Sequence, residues 1–452
     1  MSPAGARRAL ERFFALRAHG TDVATETIGG LTTFAALSYI VFVQPAILST
    51  TGMDAGAVLA ATCLASAFAT ALMGLWARYP IAVAPAMGHN FYFAFVVAGP
   101  VAAGGLGVPW PVALGANCIA GLAFLVLSLV GIRERLIVAL PESLRHAIGA
   151  GIGLLLALVG FEWAGLVRAA PGTLVALGDF HAPATRIALG GALLTAALLA
   201  RRHRGAILVG TLATGVAAAV AGLVPYEGIV AWPPSLVPTL GHLDLRAALD
   251  VRLLPAVFVF FFLGLFDTVG TLVGVAERGG LIEHGRLPRA REAMATDALG
   301  TVVGTVLGTS TVTAYVESAA GIAAGARTGL ASVVTALLLL AALFCAPLAR
   351  LAGAPVQVGT ATLHPIVAPA LIAVGSLMMS AVAHVDFADP PVAFASFVTI
   401  VTMPFAFSIA EGMALGVSAY ALLMLAAGRV REVHPLLAGF AALFIARWIV
   451  AR

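Results

Sequence analysis

Two acidic residues lie inside long apolar segments of this chain, where a carboxylate needs a specific reason to be present. Asp267 stands in the middle of FFFLGLFDTVGTLVGV (260–275), and Glu317 lies within GTSTVTAYVESAAG (308–321). A carboxylate in hydrocarbon costs about 3 kcal/mol or more unless it faces a cavity or a partner. An apolar surrounding favours the protonated form, so each group could exchange a proton, and an ionised carboxylate accepts paired N–H donors such as those of a purine or pyrimidine edge. The alternatives are a helix-packing hydrogen bond for Asp267 and a cap on a broken helix for Glu317.

The segment IAVAPAMGHNFYF (81–93) resembles the Glu317 segment in being rich in small residues and proline. An offset of 227 residues places Asn90 opposite Glu317, and the amide of Asn90 offers both a donor and an acceptor. His89 next to it could face the same cavity, titrate, or pair with a backbone carbonyl. Thr271 follows Asp267 by one helical turn and shares its helix face. These residues together predict a polar site built around two carboxylates.

Composition requires that these residues lie in a membrane protein. Of the 452 residues, 61% are hydrophobic and 10% are charged, with a mean hydropathy of +1.03. A soluble domain carries about 25% charged residues. The pI near 9.3 does not indicate a nucleic-acid partner, because the basic residues form short clusters between apolar runs. Cys63, Cys118 and Cys345 lie in apolar stretches without metal-ligand spacing, and P-loop, HExxH and GxSxG motifs are absent. We expect neither an enzyme nor a metal or cofactor site.

Apolar runs of about 20 residues predict fourteen membrane-spanning helices. They lie near 26–49, 56–77, 85–103, 111–131, 143–166, 185–200, 204–224, 254–276, 292–307, 311–325, 329–349, 364–384, 391–407 and 409–427. A further apolar stretch, 435–451, is predicted to lie in the interface. With a cytoplasmic N-terminus, 18 of the 25 basic residues fall on the inner side, as the positive-inside rule requires. We therefore expect a multi-pass protein of the bacterial cytoplasmic membrane.

The longest loop, 225–253, divides the predicted helices into two sets of seven. Because seven is odd, the second set must enter the membrane from the opposite side, which is the arrangement of an inverted repeat. The small-residue segments of the third and tenth helices occupy matching places in the two sets. Interrupted helices at such places mark a midplane binding site, with free N–H groups at the half-helix ends.

Several segments resemble the AzgA-like purine permeases, a branch of the nucleobase–cation symporter (nucleobase–ascorbate, xanthine/uracil permease) family. The likeness runs over most of the chain and is most specific in the segment after Gly308. The segments that carry it are TIGGLTTFAALSYIVFVQPAIL (27–48), FDTVGTLVGVAERGGL (266–281), GTSTVTAYVESAAGIAAGARTGLASVV (308–334) and FSIAEGMALG (407–416).

The resemblance implies an all-α membrane protein of fourteen helices, with short broken helices 3 and 10, in which a core domain moves against a gate domain. The core would comprise 26–131 and 254–349, and the gate 143–224 and 364–427. The remaining parts are a cytoplasmic N-terminal segment (1–25), an extracytoplasmic connector (225–253) and a C-terminal segment (428–452). The resemblance also implies a homodimer that imports a nucleobase together with a proton, with no other cofactor.

Site residues follow from the same resemblance. Asp267 and Glu317 would grip the base, and Asn90 would contact it from the other half. The candidate substrate-binding residues are Asp267, Glu317, Asn90, Phe91, Thr271 and Val316. The candidate proton-coupling residues are Glu317, Asp267 and His89.

Two departures leave the exact base open. The branch usually reads GMGLNAYF where this chain reads AMGHNFYF, so His89 and Phe91 change the polarity and shape near the site. Gly264 and Leu265 stand where many members carry a further acid. Adenine, guanine and hypoxanthine are the leading substrates, and xanthine or another heterocycle is an alternative. An anion carrier of the same architecture is a rival function, although two acids in the site disfavour it.

Overall fold

The structure is a computed structural model that describes residues 10–101, 105–130, 141–170, 173–203, 205–282, 287–359 and 361–450. Six arginines that were counted for orientation lie outside the described residues: Arg7, Arg8, Arg133, Arg135, Arg204 and Arg286.

The first half of the chain is mostly helical. Its helices are α1 Val23–Leu37, α2 Ile40–Ser49, α3 Ala55–Leu72, α4 Met87–Phe91, α5 Trp110–Val130, α6 Glu142–Trp163, α7 Pro183–Ala200, α8 Ala206–Val220 and α9 Leu245–Ala248. Its strands are β1 Val83–Pro85, β2 Val167–Ala170 and β3 Leu174–Leu177. Helices α3 and α4 continue into wider turns, Met73–Ala77 and Tyr92–Val97.

The second half has a similar succession of elements. Its helices are α10 Leu254–Gly279, α11 Ala290–Leu307, α12 Ser318–Ala323, α13 Gly329–Ala342, α14 Ala346–Gly353, α15 Ala368–Met378, α16 Pro390–Phe405, α17 Ile409–Ala426 and α18 Pro435–Val450. Its strands are β4 Val312–Ala314, β5 Val356–Val358 and β6 Ala361–Leu363. Short single turns of 3₁₀ helix join several of these elements.

Helix length and composition agree with a membrane protein. Seven helical segments within the described residues are long and apolar enough to cross a membrane, the longest being Val23–Ser49, and five shorter apolar helices accompany them. The fourteen predicted segments all contain helix, but the third and tenth contain a strand as well. These two are the segments for which the sequence predicted broken helices.

The third and tenth segments cross each other in the middle of the fold. Strands β1 and β4 pair antiparallel, with Val83 opposite Ala314 and Pro85 opposite Val312. A helix of five residues, α4, follows β1, and a helix of six residues, α12, follows β4. In a membrane the backbone groups of an extended segment must find partners within the protein, and the pairing of the two strands provides them. The chain thus places two half-helices and their preceding strands at one point.

Helix packing groups the elements in two sets. Helix α13 packs on α1 and α3, and α11 packs on α5 and α3. Separately, α6 packs on α15 and α16, and α7 packs on α8 and α15. The first set falls within the predicted core ranges and the second within the predicted gate ranges. Relative movement of the two sets stays a prediction.

The C-terminal helix α18 packs against two other helices. Trp448, near its end, donates from Nε1 to Oε2 of Glu411 at 3.2 Å, and Glu411 is in the first turn of α17. Helix α18 therefore runs back alongside α17. Phe440 also packs against Phe258 of α10, with ring centroids 5.0 Å apart. The location of α18 in the membrane interface stays a prediction.

Candidate functional site

Asp267 lies in the middle of α10 and has accessible surface. Its side chain is 43% exposed, whereas the neighbouring Thr268 and Val269 are buried. The Oγ1 of Thr313, in β4, donates to Oδ2 of Asp267 at 3.3 Å. Thr271, one turn further along α10, also interacts with this carboxylate. The carboxylate is thus oriented by two hydroxyl groups and remains open on one side.

Glu317 lies directly after β4, at the residue that precedes α12. Its Oε1 accepts a hydrogen bond of 2.7 Å from the hydroxyl of Tyr39. The side chain is half-buried, and its charge lies close enough to Asp267 for the two carboxylates to interact. Two acids from different elements therefore face one another beside the strand crossing, as the sequence predicted.

Val316 precedes Glu317 and is exposed. It is 53% exposed, although it lies between the buried Tyr315 and the half-buried Glu317. An exposed valine next to an acid offers an apolar surface on which a flat ring can rest. The structure brings together Asp267, Thr271 and Glu317, and Val316 adjoins Glu317 in sequence.

Asn90 and Phe91 are placed differently from the other predicted residues. Asn90 is 0% exposed and Phe91 is 2% exposed. The Oδ1 of Asn90 accepts a hydrogen bond from the hydroxyl of Ser310, and Ser310 in turn accepts one of 3.0 Å from Nε2 of Gln44. Asn90 thus belongs to a buried network below the strand crossing and does not border the accessible space.

The two half-helices do not begin at the assumed offset. Glu317 immediately precedes α12, and the residue that immediately precedes α4 is Ala86. Asn90 lies four residues further on, about one turn along the same helix face as Ala86. Its side chain is engaged by the hydroxyl of Ser310 from the other half, and a contact of Asn90 with a substrate stays a prediction.

His89 lies behind Asp267. Its Nδ1 is 4.0 Å from Oδ2 of Asp267, its side chain is 2% exposed, and it also interacts with the backbone of Phe260. Of the three alternatives for His89, pairing with a backbone carbonyl is therefore present, and exposure to the cavity is not. The distance to Asp267 still allows an electrostatic interaction between the two groups.

Two polar residues that no sequence motif indicated are buried beside the two acids. Tyr39, the partner of Glu317, is 2% exposed. Asp297 is 0% exposed and accepts a hydrogen bond from Thr268, the residue that follows Asp267. The hydropathy pattern did not predict that the first membrane segment is interrupted at Ser38. Hydropathy also does not show towards which neighbour a polar side chain points.

Glu26, in the first turn of α1, is buried as well, at 0% exposure. Its carboxylate accepts hydrogen bonds from the backbone N–H groups of Arg327, Thr328 and Ala331. It therefore caps the start of α13, about 300 residues away in sequence, and fixes the loop that follows α12. Within the described residues no group of three or more His, Cys, Asp or Glu side chains could hold a metal ion.

Comparison with protein families matches most of the chain. Residues 24–415 match the Xan_ur_permease model, which describes a permease family. The chain belongs to this family. The matched range includes every candidate site residue, from His89 to Glu317.

Individual relatives in this permease family are similar over their whole length. A relative from Methanocaldococcus jannaschii is 45% identical over 97% of this chain and 98% of its own. The adenine permease AdeP of Escherichia coli is 41% identical over 96% of this chain and 95% of its own. The guanine/hypoxanthine permease PbuG of Bacillus subtilis is 42% identical over 97% of this chain and 99% of its own. These relatives are permeases, and not enzymes, by name.

Solved structures identify the fold of this permease. The transmembrane domain of the cyanobacterial bicarbonate transporter BicA matches with a TM-score of 0.61 and 18% identity, over 87% of this chain and 97% of that chain. SLC26A9 matches with a TM-score of 0.59 and 11% identity, over 93% of this chain and 69% of that chain. The chain is therefore a multi-pass membrane protein with the helical transporter fold of these proteins.

Proposed function

We propose that the chain imports a purine nucleobase (adenine, guanine or hypoxanthine) together with a proton, by alternating access. It acts in the cytoplasmic membrane, with its N-terminus on the cytoplasmic side, as a homodimer. The substrate binds beside the strand crossing, between Asp267 and Glu317.

The observation that carries this proposal is the pair of carboxylates at one accessible point. Asp267 comes from a long apolar helix and Glu317 from the turn between β4 and α12, yet the two interact. Two acceptors at such a place match the N–H donors along the edge of a purine. The exposed Val316, next to Glu317, suits the face of the ring. Phosphate or sulfate would be repelled by both acids.

The names of the relatives support the substrate class. AdeP is an adenine permease and PbuG a guanine/hypoxanthine permease, and both align with nearly the whole chain at about the same identity. Because the two relatives take different purines and are equally similar, the choice between adenine and the 6-oxopurines depends on residues around the base. His89 lies 4.0 Å from Asp267, and Phe91 follows it by two residues in α4, so both are candidates for that choice.

Proton coupling follows from the cost of burying charge. Two ionised carboxylates close together repel each other, and each loses hydration when the site closes. A proton on one of them removes a charge, and the N–H groups of the base then satisfy the other. Only the site that holds both a proton and a base would change orientation at low cost. Asp267 and Glu317 are the proton carriers in this scheme, with His89 as a third titratable group.

The test is uptake of radiolabelled adenine, guanine and hypoxanthine by cells or proteoliposomes that contain the protein. We expect saturable uptake that is driven by an inward proton gradient and abolished by a protonophore. Asp267→Asn and Glu317→Gln should each reduce uptake at least about 100-fold, because each removes an interaction with a charged acceptor. Wild-type uptake rates in either variant would contradict the assignment of the site.

Anion transport is the rival that the structural comparison raises, since BicA carries bicarbonate. At 18% identity that likeness concerns the fold alone. The same proteoliposomes distinguish the two functions. Uptake of bicarbonate or sulfate without purine uptake would overturn the purine proposal.

A further inference from the structure

The first membrane segment is interrupted next to Glu317. Helix α1 ends at Leu37 and α2 begins at Ile40, and Tyr39 stands in the interruption. We propose that Tyr39 is a positioning residue of the substrate site, whose hydroxyl holds Glu317 so that one carboxylate oxygen is reserved for the substrate. This inference rests on the proposed function, in which Glu317 contacts the base.

The contact itself is short and protected. The Tyr39 hydroxyl lies 2.7 Å from Oε1 of Glu317, a distance typical of a hydrogen bond from a neutral hydroxyl to a carboxylate. Tyr39 is 2% exposed, so water does not compete with Glu317 for this donor. A hydrogen bond to a charged acceptor in such a place is stronger than one between neutral groups.

The surroundings of Tyr39 direct its hydroxyl towards Glu317. Its ring lies against that of Tyr315, with centroids 6.5 Å apart. The Tyr315 hydroxyl donates to the carbonyl oxygen of Pro85 and is thereby held within the strand crossing. The two tyrosine hydroxyls also interact with each other, so Tyr315 helps to hold the Tyr39 hydroxyl beside Glu317. The hydrogen bond of Tyr39 joins the first predicted membrane segment to the tenth. The hydrogen bond of Tyr315 joins the residue after β4 to the end of β1.

The consequence concerns the way in which Glu317 can bind a base. A carboxylate can accept in a bidentate manner through both oxygens. With Oε1 held by Tyr39, the second oxygen, Oε2, is the one directed to the substrate. Glu317 then accepts one N–H group in a fixed direction, and a second N–H group of the base must be accepted elsewhere, by Asp267. Tyr39 therefore defines the distance and the angle at which the two acids meet the base.

The test compares Tyr39→Phe, which removes only the hydroxyl, with a matched control. Tyr420→Phe is that control, because Tyr420 is also buried, at 3% exposure, but lies on α17 near the charges of Arg429, Asp389 and Glu432. Both purified variants are measured in three ways: the thermal midpoint, the dissociation constants for adenine, guanine and hypoxanthine, and the infrared band of Glu317. The band is assigned as the one that disappears in Glu317→Gln.

We expect Tyr39→Phe to shift the infrared band of Glu317 and to raise the dissociation constant about tenfold, the equivalent of one hydrogen bond to a charged group. Its thermal midpoint should stay within about 3 °C of the wild type, which a loss of about 1 kcal/mol or less would allow. Tyr420→Phe should change neither the band nor the affinity. A purely structural role of Tyr39 would lower the midpoint and leave the affinity of the folded protein unchanged.

Two results would overturn the inference. An unshifted band would mean that the hydroxyl does not bind Glu317. A shifted band with an affinity within about twofold of the wild type would mean that the contact does not position the acid. The wild-type protein tests the proposed function separately. If the wild type binds none of the three bases, both the proposed function and the substrate role of Tyr39 are wrong.

Discussion

The hydroxyl of Thr313 donates to the carboxylate of Asp267, at 3.3 Å, and so connects the crossing strand β4 with the long helix α10. Thr313 is 1% exposed, whereas Asp267 is 43% exposed at its side chain. A buried hydroxyl thus supports an accessible acid from behind. The orientation of Asp267 depends in this way on the strand pairing and not only on its own helix.

Replacement of this hydroxyl should weaken substrate binding. Thr313→Val keeps the shape of the side chain and removes the donor, so we expect the dissociation constant for the base to rise about two- to tenfold. Equilibrium binding of radiolabelled base to the purified protein measures the effect. Thr305→Val is the matched control, because Thr305 is equally buried but donates to Val302 within its own helix. Equal affinities of the two variants would contradict a supporting role for Thr313.

Removal of His89 should change how uptake depends on pH. His89 is the buried titratable group nearest to Asp267 on the side away from the accessible space, with 4.0 Å between Nδ1 and Oδ2. We expect His89→Leu to transport the base but with an altered pH profile between about pH 5 and 8, because removal of the imidazole changes the electrostatic surroundings of the Asp267 carboxylate. Initial uptake rates across that range provide the measurement. An exposed histidine, His242, gives the control variant His242→Leu. If both variants keep the wild-type profile, His89 takes no part in proton coupling.

Glu26 should matter for stability and not for affinity. Glu26→Ala leaves the N–H groups of Arg327, Thr328 and Ala331 without their acceptor in a buried place. We expect the free energy of unfolding to fall by roughly 2–4 kcal/mol, with a lower thermal midpoint. The dissociation constant for the base should stay near that of the wild type in the folded fraction. Glu142→Ala, at a side chain that is 76% exposed, should leave the midpoint unchanged. An unchanged midpoint for Glu26→Ala would show that the cap is dispensable.

Close backbone contact between α1 and α12 gives a further test. A Cβ atom at Gly321 would lie 2.0 Å from Oγ1 of Thr33 and 2.6 Å from the carbonyl oxygen of Gly29. Gly321→Ala should therefore force the half-helix away from the first segment and cost about 1–3 kcal/mol of stability. Because α12 begins next to Glu317, base binding should weaken as well. Gly190→Ala, where nothing lies within 4 Å of the new Cβ, should be tolerated. Similar midpoints for the two variants would contradict this packing.

The pattern of hydropathy and the cost of buried charge were sufficient to predict the membrane class, the broken third and tenth segments and the two acids. Asp267 and Glu317 could be found because a carboxylate within an apolar run is rare. The surroundings of Asn90 could not be predicted, because its partner Ser310 comes from the other half of the chain, 220 residues away. Its predicted contact with a substrate stays a prediction.

Contacts between distant segments were also beyond the sequence. The bond from Tyr39 to Glu317 joins residues 278 positions apart, and the cap from Glu26 to Arg327 joins residues 301 positions apart. The sequence around each of these polar groups does not indicate a partner in a distant segment. The contacts of α18 with α10 and α17 could not be predicted for the same reason, because they join segments that are distant in sequence.

The pairing of Val83 with Ala314 has a consequence for how such proteins can change during evolution. Each half of the chain contributes one strand to the crossing, so neither half contains a complete site. A recombination event that exchanged one half for that of a relative would cut between the two strands and would combine a new β1 with an old β4. We therefore expect a new substrate preference to evolve more readily by single replacements in both strands of the crossing than by exchange of a whole half.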